Sequence, residues 1–207
     1  MGFDCYGINP IENSILDEDA VKWQDKDGFP QWSEMNESDT TKYFAAKEKY
    51  EDANPGVYFR NNVWWWRPLW QFVCYACDDF LSVKDMESGN YNDCRRISKT
   101  KAKRIAARIR KLDKSGIIDE QHEYHQEKLE KAEKHNKKVE QKRIALKKEV
   151  EEKVGPNIIP ANYPKEYKER WDKIQGDENW SGHYPFDADN IRSFGEFCDN
   201  SGGFEIC

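Results

Sequence analysis

Arginine, asparagine and tryptophan crowd one stretch of this chain. Tyr58-Phe59-Arg60-Asn61-Asn62-Val63-Trp64-Trp65-Trp66-Arg67-Pro68-Leu69-Trp70 holds four of the eight tryptophans. Residues of these types bind more readily than they break bonds. Indole faces take rings, asparagine offers a donor beside an acceptor, and guanidinium grips carboxylate or phosphate through paired hydrogen bonds. Small-molecule pockets combine apolar walls with a few such polar groups. Trp64, Trp65 and Trp66 cannot all face one core, because neighbouring side chains diverge in helix and strand alike. At least one indole therefore lines a surface, a groove or an interface. The candidate ligand-binding set is Arg60, Asn61, Asn62, Trp64, Trp65, Trp66 and Arg67, joined by Asp4, Tyr6, Asn90 and Asn92. The expected ligand is a small anionic, nucleotide-like molecule. Interface hot spots draw on the same Trp and Arg, so a protein partner fits the stretch equally well. A plain structural cluster of stacked Trp and Arg fits it too.

Other chemistries are poorly provided for. Cys74-Tyr75-Ala76-Cys77 is a lone CxxC, whereas structural zinc needs four ligands; the remainder would be single residues such as Cys5, Cys94 or Cys198. In mid-helix such cysteines are commonly small buried hydrophobes. His122 and His125 lie three apart without a His-Glu-x-x-His pattern. His183, beside Tyr184, is an unranked acid–base candidate. No Ser-His-Asp set, phosphate-binding loop or dinucleotide fingerprint is present. The expectation is a binding protein without catalytic residues, metal or cofactor.

Composition sets the surroundings. Apolar residues make up 37% and charged residues 35%, against usual shares of about 45–50% and about 25%. The core is thin and the exterior heavily charged. Met1 to Ala53 holds thirteen acids against five lysines, and Arg95 to Lys114 holds ten basic residues against one acid. These regions are expected to neutralise each other; the competing reading is nucleic-acid binding by the helix over 95–114. Six cysteines without an apolar leader point to a reducing compartment, and no run reaches the roughly 18 apolar residues of a membrane span. A cytoplasmic protein without membrane partners is expected.

The elements that must position these residues read as mainly α. Residues 1–207 form one domain, with an acidic N-terminal region over 1–56. A core over 57–116 carries the tryptophan block and the basic helix. Residues 117–154 make a protruding charged helical arm, and C-terminal helices over 155–207 pack back on the core. Gly2–Ile8 and Gly203–Cys207 echo one another and are expected to pair as short strands. Ser38 caps a helix over 39–52, and Trp23, Phe29 and Trp32 anchor the acidic region. Pro68 opens a buried helix that runs to Gly89. Ser98 caps the basic helix. The arm has a seam of His125, Leu129, Ala132, Asn136, Val139, Arg143, Leu146 and Val150. Three polar residues in eight speak against a homodimeric coiled coil, so the arm is expected to pack near its ends with its middle in water, either as one helix or as two joined by a hinge near His135-Asn136.

Met1-Gly2-Phe3-Asp4-Cys5-Tyr6-Gly7, the tryptophan block, Gly89-Asn90-Tyr91-Asn92-Asp93 and Asn200-Ser201-Gly202-Gly203-Phe204-Glu205-Ile206-Cys207 together resemble a family of small bacterial and bacteriophage proteins without an assigned activity. The resemblance covers about a sixth of the chain. It implies a phage or bacterial setting, with host cytoplasm as the site of action and host takeover or anti-defence as the role. It implies no particular mechanism.

Overall fold

The computed structural model describes residues 2–26 and 28–207, apart from the side chains of Asp19 and His183. The His183 candidate thus lies outside the described side chains. The elements in order are β1 (Gly2–Gly7), α1 (Glu18–Val21), α2 (Glu37–Ala53), β2 (Tyr58–Asn62), α3 (Val63–Ala76) and α4 (Val83–Ser88). They continue with β3 (Arg95–Ser98), α5 (Lys99–Lys114), α6 (Ile117–Lys153), α7 (Lys165–Gly176), α8 (Ala188–Asn200) and β4 (Gly203–Ile206). Contacts gather these into two compact units, Met1–Asp119 with Asp187–Cys207, and Glu120–Phe186.

The first unit is built on an antiparallel sheet of order β2-β1-β4-β3. The two chain ends lie side by side as expected, with Cys5 opposite Ile206 and Tyr6 opposite Glu205. Side chains alternate across a strand, so Phe3, Cys5, Ile97, Phe204 and Ile206 are buried on one face. Against that face pack Trp66, Leu69, Val73, Ile105, Phe194 and Phe197. Gly202 and Gly203 reverse the chain between α8 and β4 at φ of 65° and 99°, a region that favours glycine. The mainly α architecture with a small sheet joining the termini is as the sequence predicts.

Several boundaries differ. Asn36, not Ser38, caps α2 by accepting from the Asp39 amide at 3.0 Å. Trp32 packs on Tyr43 and Phe44, whereas Phe29 is 68% exposed. Cys94 is joined to Cys207 by a disulfide, because the β3–β4 register sets Arg95 opposite Ile206 and so brings the flanking cysteines together. Cys5, Cys74, Cys77 and Cys198 are free thiols.

The basic helix meets acids other than those expected. Lys101 pairs with Asp85, Lys103 and Arg110 pair with Asp199, and Arg108 forks onto Asp79 with Arg104 beside it. These carboxylates come from α4, α8 and the turn after α3, not from the acidic N-terminal region. Burial pulls the Asp85 carboxyl upward, but the Lys101 ammonium and the Ser82 hydroxyl and amide outweigh it and hold it below the usual aspartate range. Lys103 does the same for Asp199 against a smaller opposing effect of burial. A folded value below the unfolded one stabilises the fold above the ordinary aspartate value and is lost as pH falls through the folded value. The melting temperature should therefore hold from neutrality to about pH 4 and drop below it. Asp85→Asn should flatten that drop, and a variant that keeps the wild-type acid slope would contradict the assignment.

In the second unit α6 is one continuous helix through His135 and Asn136, without a hinge. All eight seam residues are buried or half-buried. Water does not bathe the middle, because residues 157–186 of the same chain fill the seam. Leu146 and Val150 cluster with Tyr163 and Tyr167, and Ile158, Trp171 and Ile174 pack around them. The polar seam positions are matched individually. Asn136 donates to the Asn179 carbonyl at 2.9 Å and accepts from its amide at 2.8 Å. Arg143 pairs with Glu178 at 2.7 Å, and the His125 ring stacks on Phe186 at 5.2 Å. Asn136 and the Arg143 guanidinium end, polar groups that weaken a homodimer seam, thus meet intramolecular partners, although the buried Arg143 Nε has none among the described residues. Thus α7 packs on α6, and among the C-terminal helices it is α8 that packs on the sheet-bearing core.

Candidate functional site: a cleft between two helices

The tryptophan block changes from strand to helix in its middle. β2 ends at Asn62, whose side-chain oxygen accepts from the amides of Trp64 and Trp65 at 3.0 and 3.2 Å. That cap starts α3 at Val63, a full turn before Pro68. Helical geometry then separates the three indoles. Trp64 and Trp65 are 44% and 37% exposed, whereas Trp66 is sealed. Trp66 stacks between Phe3 at 5.2 Å and Trp70 at 5.4 Å and donates its Nε1–H to the Gly89 carbonyl at 2.6 Å. Trp70, also buried, donates to the Met86 carbonyl at 2.8 Å. Trp66 is therefore a core residue and leaves the predicted ligand set.

The buried helix expected to run to Gly89 is interrupted. α3 stops at Ala76, and Ser82 starts α4 with a capping box. The Ser82 hydroxyl accepts from the Asp85 amide, and the Asp85 carboxylate accepts from the Ser82 amide at 2.8 Å. The signal was legible as Ser82-Val83-Lys84-Asp85, an acid three residues after a cap. The two indole bonds, Trp66 to Gly89 and Trp70 to Met86, show that α4 runs back along α3 in the opposite sense.

A cleft of about 440 Å³ opens between them. Arg67, Gln71 and Cys74 line it from α3, at the i, i+4, i+7 spacing of one helix face. Val83, Met86, Glu87 and Asn90 line the other wall, with Trp70 as the floor. The opposed directions sort these residues into two ends. Arg67, Gln71, Glu87 and Asn90 make a polar end, and Cys74, Val83 and Met86 an apolar one. Neither the Arg67 guanidinium nor the Glu87 carboxylate has an ion-pair partner among the described residues. Burial and the neighbouring Cys77 push the Cys74 thiol up to about 12, so it stays protonated and serves as wall, not nucleophile. The volume lies in the range of small-molecule sites. A guanidinium at its mouth suits a carboxylate or phosphate.

Of the predicted set, then, only Arg67 and Asn90 reach this cleft. Asp4, Tyr6 and Arg60 lie together on the outer face of the sheet, where Asp4 stands opposite Arg60 and Tyr6 opposite Tyr58. Arg60 pairs with Asp4 at 3.4 Å, and the Tyr58 hydroxyl donates to the same carboxylate. Burial and that carboxylate push the Tyr58 phenol upward, so it remains a donor. The asparagines tie the fold together. Asn61 donates to Asn190 at 3.0 Å, Asn62 is the α3 cap, and Asn92 donates to the Gly2 carbonyl at 2.8 Å. Sequence reasoning missed the other six lining residues, Trp70, Gln71, Cys74, Val83, Met86 and Glu87.

Elsewhere the described residues hold no group of three or more metal-ligating side chains. Burial pushes Cys77, like Cys74, up to about 12. Burial also lowers His125, further aided by Lys128. Among the described residues no helix is long and apolar enough to cross a membrane. Comparison with family models, curated proteins and solved structures returned no match.

Proposed function

We propose that the protein is a non-enzymatic binder of a small anionic molecule, held in the cleft between α3 and α4 with Arg67 as its anion contact. The observation that carries this reading is a guanidinium with no ion-pair partner among the described residues, lining a cleft of about 440 Å³ that has one polar and one apolar end. Arg60, the other arginine of the block, is engaged with Asp4 on a different face. The phage or bacterial setting enters through the family resemblance alone.

A thermal-shift panel of carboxylates and nucleotides tests the assignment. At least one small anion should raise the melting temperature of wild type and Arg60→Ala alike. Arg67→Ala should weaken that ligand roughly tenfold or more, the usual cost of a charge-assisted hydrogen bond. A shift that survives Arg67→Ala but disappears in Arg60→Ala would move the site to the sheet face.

A protein-gripping surface is the second reading, and the exposure of Trp64 and Trp65 at 44% and 37% favours it. It predicts that replacing both by alanine leaves every small-molecule shift intact while removing a partner. Nucleic-acid binding by α5 is less well supported, since five of its cations are already matched by carboxylates.

A further inference from the structure

The polar end of the cleft holds charges of both signs. Arg67 on α3 and Glu87 on α4 line the same space, and no ion pair joins them. They sit at the same end because the Trp66 indole is bonded to the Gly89 carbonyl, which sets the last turn of α4 beside the first turns of α3. A phosphate ester brought to Arg67 would meet the Glu87 carboxylate as well, and like charges set side by side repel. A group with one negative and one positive charge satisfies both side chains. Gln71 and Asn90 add a neutral donor and acceptor at this end. The other end offers Cys74, Val83 and Met86, with only carbon and sulfur to contact.

We infer that the cleft takes a zwitterion with an apolar tail, of the class of the free apolar α-amino acids. The carboxylate lies on Arg67, the ammonium on Glu87, and the side chain runs over Trp70 toward Cys74 and Val83. This rests on the reading of the cleft as a ligand site and narrows it away from nucleotides.

Isothermal titration of the full chain with matched ligands decides the matter. L-phenylalanine and L-leucine are compared with 3-phenylpropionate and 4-methylvalerate, which keep the carboxylate and tail but lack the ammonium. The zwitterion of each pair should bind at least tenfold more tightly than its partner. Glu87→Gln, a change at an exposed residue, should erase that preference and leave the plain carboxylates unweakened. Equal binding within each pair, or a preference that survives Glu87→Gln, overturns the zwitterion and leaves the anion-binding cleft standing. Binding of none of the four by wild type overturns both.

Discussion

Replacing Cys94 and Cys207 together by serine should lower the unfolding free energy by about 4–5 kcal/mol, one of the two largest effects expected in this protein. The bridge closes a loop across a sequence separation of 113 residues. A cross-link that long removes much of the freedom of the unfolded chain, and the gain grows only slowly with further length. It also fastens the last residue of the chain to the strand at the sheet edge. Cys207 already exchanges two backbone hydrogen bonds with Asp4, at 2.8 and 2.7 Å. Losing the bridge therefore frays the end of β4 without removing the sheet. Chemical denaturation measures the change, and wild type treated with a dithiol reductant should match the double variant. A wild type indifferent to the reductant, with two titratable thiols at these positions, would show that the bridge does not form.

Trp66→Ala should cost about 3–5 kcal/mol, the range for removing a large aromatic side chain from a core. The ring is fully buried, stacked on both faces, and meets Phe194 edge-on at 5.8 Å. Its loss leaves a cavity and also strands the buried Gly89 carbonyl, itself a penalty of about 1–3 kcal/mol. Trp66→Phe recovers most of the packing but not that hydrogen bond, so it should fall between alanine and wild type. Trp65→Ala, two-fifths exposed and one residue away, should stay within about 1 kcal/mol. Equal losses at Trp65 and Trp66 in denaturant melts would contradict the division of the block into core and surface.

How much of this was legible in the sequence depends on what each residue had to reveal. The pairing of the termini was visible because Gly2-Phe3-Asp4-Cys5 and Gly203-Phe204-Glu205-Ile206 carry matching alternation. The α5 cap at Ser98 and its narrow apolar face were likewise local properties. Crowding of the indoles showed that some must be exposed, but not which. That depended on the Asn62 side chain capping α3 at Val63, and an asparagine beside another asparagine does not reveal which one caps. The cleft was hidden because the apolar run from Leu69 to Leu81 reads as one helix. Its break after Ala76 places Glu87 and Asn90 back beside Arg67, and only the Ser82–Asp85 spacing hinted at it. Opposing partners were hidden too. The seam of α6 was drawn correctly, but that Asn136 and Arg143 find Asn179 and Glu178 depends on a return of the chain some forty residues later.

The central claim is that a small carboxylate enters between α3 and α4. Titrating 3-phenylpropionate and L-phenylalanine into isotopically labelled protein, with amide and side-chain shifts followed by NMR, tests it most directly. Saturating shifts at Arg67, Gln71, Met86 and Asn90, with Tyr6 and Arg60 unmoved, are the predicted result. Shifts concentrated at Asp4, Tyr6 and Arg60, or no saturable shift at any residue, would contradict it.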